Sequence, residues 1–141
     1  MRFLHLSDLH LGKRVCEFSM LDDQRYILGE ILSLLDTRPV DAVLLAGDLY
    51  DKPVPPAEAV RLLDWFLTEL ADRKLPVFAI SGNHDSAERV AFGAHLLAGS
   101  QVYVSPVFEG APAPIPLTDA YGPVDIYLLP FLKPATVRHI Y

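Results

Sequence analysis

The sequence predicts an α/β protein, a mixed β-sheet flanked by helices. Three observations carry this. Short apolar runs alternate with longer amphipathic ones through the first hundred residues. Their order, strand–helix–strand–helix–strand, is the one that joins parallel strands through helical crossovers. The composition is that of a packed domain, 51% hydrophobic and 21% charged in 141 residues.

Each element follows from its pattern. Phe3–Ser7 reads as a strand. Leu21–Leu35 reads as a helix, with Leu21, Leu28, Ile31, Leu32 and Leu35 on one side. Ala42–Ala46 is a continuous apolar run, as expected of a strand covered on both faces. Ala57–Arg73 is the clearest helix, since Ala59, Leu62, Leu63, Phe66, Leu67 and Leu70 keep the i, i+3, i+4 rhythm. Pro55 and Pro56 ahead of it suit a first helical turn. Pro76–Ile80 is the third strand, and Ser86–Leu97 a third helix ended by Gly99. Beyond Gly99 the texture changes. Val102–Val104, Val107–Glu109, Ile115–Leu117 and Asp125–Leu129 read as short strands among prolines, and Pro134–Tyr141 as the start of a helix.

Composition narrows the class. A single cysteine, Cys16, excludes an internal disulfide framework and an all-cysteine zinc site. It is expected to be a plain buried thiol. Apolar runs fall far short of the roughly 20 residues of a membrane span. The N-terminal apolar stretch is too short for a signal peptide, so a cytoplasmic protein with no membrane association is expected. The net charge of −6 argues against a broad basic footprint for a nucleic-acid backbone, unless some of the acids hold metal.

Three polar clusters each follow a predicted strand: Ser7-Asp8-Leu9-His10, Ala46-Gly47-Asp48, and Ser81-Gly82-Asn83-His84-Asp85. In an open α/β sheet, loops after the carboxyl ends of neighbouring strands converge on one crevice. Alone, each cluster has an ordinary reading as a turn or a helix cap. Together they bring carboxylates (Asp8, Asp48), imidazoles (His10, His84) and an amide oxygen (Asn83) to one rim. That mixed set suits Mn²⁺, Fe²⁺ or Zn²⁺ better than Ca²⁺ or a thiolate metal.

In this order, Asp8-x-His10, Gly47-Asp48 and Gly82-Asn83-His84-Asp85 resemble the first three motifs of the calcineurin-like metallophosphoesterase superfamily. The segments Ser7–Lys13, Asp23-Gln24-Arg25, Ala46–Asp51, Pro55–Ala59 and Gly82–Ser86 with Arg89 resemble its SbcD-type DNA repair exonucleases. The resemblance runs to about residue 104, and more thinly to Pro130-Phe131-Leu132. It implies a layered fold of mixed sheets and helices. It implies two divalent ions, manganese ahead of iron or zinc. Asp8 and His10 would hold one ion and Asn83 the other, with Asp48 bridging. His84 would be the general acid, or stabilise the transition state at the phosphodiester. Asp85 is read either as orienting His84 or as capping the next helix. The resemblance further implies DNA as substrate, an SbcC-type ATPase partner and a homodimer.

The family completes its site with three later histidines, two of them in Gly-His-x-His. Only His95 and His139 follow here, and neither fits. Residues 1–141 are therefore expected to be one domain, the N-terminal part of a longer nuclease, with the fold incomplete at the C-terminus and little activity alone. Lys13, Arg14, Arg25, Lys52 and Arg89 are candidates for DNA phosphates or for plain solvated surface. His5 and His95 read as structural, and Trp65 as ordinary packing or a partner patch. Two other functions stay open: a small-molecule phosphomonoesterase or cyclic-nucleotide phosphodiesterase of the same superfamily, and a non-catalytic binding scaffold.

Overall fold

The computed structural model describes residues 1–141. In chain order its elements are β1 (Phe3–Leu6), β2 (Arg14–Val15), β3 (Phe18–Ser19), α1 (Leu21–Thr37), β4 (Ala42–Ala46), α2 (Ala57–Asp72), β5 (Val77–Ile80), α3 (Ala87–Val90), α4 (Ala94–Ala98), β6 (Val102–Val104), β7 (Ile115–Asp119), β8 (Gly122–Ile126) and α5 (Pro134–Ile140). Strands β1, β4, β5 and β6 form one sheet in that order, and every pairing in it is parallel. Antiparallel pairing is confined to two ribbons, β2–β3 and β7–β8.

The sheet divides its side chains by the period of two that a pleated strand imposes. Val43, Leu45, Val77, Ala79 and Val102 face α1 and α2, where Leu28, Leu32, Leu62, Phe66 and Leu70 complete the main core. Ala42, Phe78, Leu44 and Tyr103 face the other way, onto Leu128 and the β7–β8 ribbon. Phe78 and Tyr103 stack there at 5.3 Å. Both faces are covered, which is why Ala42–Ala46 carries no polar residue. Phe66 is wholly buried, so truncating it to alanine costs about 3–5 kcal/mol. At the far end of the helix pair, Arg73 joins Asp36 of α1 to Glu69 of α2.

The expected third helix is two short ones. Gly93 adopts φ +74 between α3 and α4, a left-handed break that a helical apolar pattern does not reveal. Val107–Glu109 forms no strand, and the last expected strand lies earlier, at β8. The segment after Gly12 holds a hairpin that apolar patterning missed. Cys16 and Glu17 form its tip with φ +46 and +69, so Cys16 is exposed rather than buried. His5 and His95 are exposed as well, not packed. Trp65 packs beside the main core, and Arg25 lies 4.7 Å from its ring centre. No helix is long and apolar enough to cross a membrane.

Candidate metal centre

Parallel register fixes where the polar loops go. Leu6 pairs with Leu45, and Ala46 with Ile80, so β1, β4 and β5 end at the same edge. The pairing then runs on past the strands. Asp8 N–H donates to Gly47 O at 3.2 Å, His10 N–H to Asp48 O at 2.9 Å, and Leu11 N–H to Leu49 O at 2.9 Å. To present their side chains from these loops, Asp8, His10 and Asp48 take left-handed backbones, φ +56, +44 and +50. Such conformations cost of order 1–3 kcal/mol each outside glycine and persist only where neighbouring structure over-determines them.

The side chains meet. His10 Nε2 lies 3.8 Å from Asp8 Oδ1 and 3.8 Å from Asp48 Oδ2. These separations are too long for hydrogen bonds. Ligand atoms of His10, Asp48 and His84 all lie within 4.8 Å of one another. The two imidazoles stand edge to face, centroids 4.8 Å apart. Asp48 Oδ1 accepts the backbone N–H of His84 at 2.9 Å, which leaves Oδ2 turned toward His10. His84 Nδ1–H donates to Asp51 O at 3.0 Å; the partner is a carbonyl, so this nitrogen carries the proton and Nε2 is free.

Asp48 is only 8% exposed and has no lysine or arginine partner. A buried carboxylate without a cation is expensive. The donors around it, two carboxylates and imidazole nitrogens held short of mutual hydrogen bonding, fit a borderline divalent cation. Asn83 follows Gly82 on the same turn. Its amide is exposed, makes no side-chain hydrogen bond and lines a depression of about 340 Å³ with Phe131 and Lys133.

The Asp85 carboxylate makes no hydrogen bond to the His84 ring, and α3 takes its cap from another residue. The carboxylate accepts the backbone N–H groups of Leu49 (3.0 Å), Tyr50 (2.9 Å) and Gly82 (2.8 Å), tying the second loop to the third. Ser86 Oγ is the cap, accepting Arg89 N–H at 3.3 Å. Beside Asp85, burial, then the charges of Asp85 and Asp64, push the Tyr50 hydroxyl up to about 12. Sequence reasoning missed Gln24. From α1 its amide accepts Gly12 N–H at 3.0 Å and donates to Leu9 O (3.1 Å) and His10 O (2.8 Å), fixing the first loop from behind. It also gave Asp51 no role, although both histidines touch it.

The basic candidates scatter. Lys13 and Arg14 follow the first loop, exposed and free of ion pairs, with Arg14 bonded to Glu17 O across its own hairpin. Lys52 is exposed in the second loop. Arg25 covers Trp65, and Arg89 lines a groove beside α2 rather than the crevice. His95 and His139, on α4 and α5, lie outside the donor group.

The chain is 34% identical over its whole length to the SbcD subunit of nuclease SbcCD from Staphylococcus epidermidis, of which it spans 37%. The calcineurin-like phosphoesterase model matches residues 1–132, taking in all three loops and the strands that aim them. A sheet edge that gathers Asp8, His10, Asp48 and His84, with that match along nearly the full chain, places this protein in the calcineurin-like phosphoesterase family.

Proposed function

We propose that this chain carries the first part of a two-metal phosphodiesterase centre, and that the whole protein is an SbcD-like DNA exonuclease and endonuclease of double-strand-break repair. The observation that carries this reading is the gathering of His10, Asp48 and His84 donor atoms within 4.8 Å, with Asp8 beside them. Asp8 and His10 would hold one divalent ion, Asn83 the other, and Asp48 would serve both. When bound, a pair of such ions polarises the phosphate and lowers the pKa of coordinated water. The chain's own residues do the rest. Asp48, fixed through Oδ1, presents Oδ2 to the site. His84, held at Nδ1 by the Asp51 carbonyl, keeps Nε2 free of hydrogen bonds, and in its protonated form it can deliver a proton to a leaving oxygen. Manganese is our choice of metal, with iron or zinc behind it.

DNA as substrate and an SbcC-type ATPase partner are proposed from the resemblance to the SbcD-type exonucleases, which the match to the staphylococcal SbcCD subunit supports; a cytoplasmic location is proposed from the short apolar runs and N-terminus. Lys13 and Arg14 are the proposed phosphate contacts. We read residues 1–141 as one domain, the N-terminal part of the nuclease. A homodimer is supported by an apolar groove of about 350 Å³ between α2 and α3–α4, rimmed by the exposed Phe92 and Leu96.

Two measurements test this. Calorimetry with Mn²⁺ should give binding to the chain that Asp48→Ala abolishes; equal heats would favour a silent scaffold. The full-length protein should cleave linear plasmid DNA in preference to a chromogenic phosphate monoester; the reverse preference would favour a small-molecule phosphatase.

A further inference from the structure

We propose that Asp51 is the positioning residue of this centre, setting which nitrogen of His10 is free to bind metal. The inference rests on the metal-centre reading above. His10 Nε2 faces Asp8 and Asp48. For a neutral imidazole to offer a lone pair there, its proton must sit on Nδ1. That Nδ1 is buried and without a hydrogen-bond partner. The group it faces is the Asp51 carboxylate, with Oδ1 at 3.6 Å, a small side-chain rotation short of a hydrogen bond. The Asp51 side chain is mostly buried, 21% exposed, with no lysine or arginine partner and no side-chain hydrogen bond. A carboxylate on the far nitrogen of a metal-binding histidine fixes its tautomer and ring orientation.

The same residue reaches the second histidine by a different atom. Its backbone carbonyl accepts His84 Nδ1–H at 3.0 Å. Asp51 therefore addresses both rings at Nδ1 and leaves both Nε2 atoms unengaged by it. Its place is fixed by the main chain, since Asp51 N–H donates to Leu11 O at 3.2 Å. Substituting the side chain removes the contact to His10 and spares the one to His84, so His84 serves as an internal control.

The experiment is ¹⁵N NMR of the imidazoles in the metal-free chain at a pH where both are neutral, with Mn²⁺ calorimetry on the same samples. In the wild type His10 should be protonated at Nδ1. Asp51→Ala should give His10 a mixture of tautomers and weaken Mn²⁺ binding about 10–100-fold. Asp51→Asn, which keeps an acceptor without the charge, should fall between. The His84 signals and the thermal melt should stay in place in both variants. An unchanged His10 tautomer with unchanged Mn²⁺ affinity in Asp51→Ala overturns the proposal. If the wild type binds no Mn²⁺, the metal-centre reading fails, and the His10 tautomer by itself decides the role of Asp51.

Discussion

Gly82 leaves Asp48 the space it occupies: a β-carbon on Gly82 would come within 2.7 Å of Asp48 Cγ, closer still to Oδ1, and would strike the Asp48 backbone nitrogen too. Two loops from different strands thus cross at a point that admits only hydrogen. Gly82→Ala should destabilise the fold by about 1–3 kcal/mol, as overpacking does. It should also abolish Mn²⁺ binding, because Asp48 must move to relieve the clash. Urea denaturation and calorimetry check the two halves. A variant with wild-type Mn²⁺ affinity would show that the crossing can open without loss of the site.

Asp85 should prove a stability residue rather than a chemical one. It satisfies three backbone N–H groups on two loops. Hydrogen bonds to a charged acceptor are worth roughly 1.5–3 kcal/mol each, less where water can replace them. Asp85→Ala should cost about 2–4 kcal/mol in chemical denaturation. Amide exchange at Leu49, Tyr50 and Gly82 should quicken together, and His84 ring resonances should shift less than those amides. A His84 response as large as the loss at the amides would restore the reading in which Asp85 orients the imidazole.

Much of this was legible in the sequence because it follows from periodicity. Ala42–Ala46 and the stripe from Ala59 to Leu70 announce a covered strand and a one-faced helix, and the structure keeps both within a residue. The polar clusters were legible because parallel strands end at a common edge, which brings Asp8, Asp48 and His84 together over large sequence separations. Side-chain partners across loops were not. Asp85 follows His84 directly, and adjacency suggested a link, yet its carboxylate turns to Leu49 and Tyr50. Gln24 lies in a helix whose apolar pattern says nothing of a polar side chain reaching back to Leu9 and His10. The β2–β3 hairpin escaped because Cys16-Glu17 is not a usual two-residue turn pair, and its strands carry no buried face to leave a pattern.

The Gln24 amide offers a test with an internal contrast. Its Oε1 accepts from Gly12 while its Nε2 donates to two carbonyls. Gln24→Glu keeps the acceptor and turns the donor into a second acceptor facing Leu9 O and His10 O. It should therefore weaken Mn²⁺ binding more than Gln24→Ala, although glutamate is nearly the same shape. We expect about 1–2 kcal/mol of lost stability for alanine and more for glutamate, read by thermal or urea melts. Equal behaviour of the two variants would mean that water replaces the amide freely and that α1 does not hold the first loop.

Tyr50 should make the fold alkali-sensitive. An unfolded tyrosine ionises near 10, while in the folded chain burial, with the Asp85 and Asp64 charges behind it, pushes the hydroxyl up to about 12. Below pH 10 the phenol is neutral in both states and its contribution to stability is fully present. Between about 10 and 12 the unfolded chain releases a proton that the folded chain retains, so each rise in pH favours unfolding, and the contribution is lost as pH passes through the folded value. Other groups also titrate in this range, so the signal is the difference between wild type and Tyr50→Phe. That substitution removes the ionisable group and keeps the ring beside the main core. From pH 9 to 12 the urea midpoint of the wild type should fall more steeply than that of Tyr50→Phe. Parallel curves would mean that the Tyr50 hydroxyl ionises as readily in the folded chain as in the unfolded one.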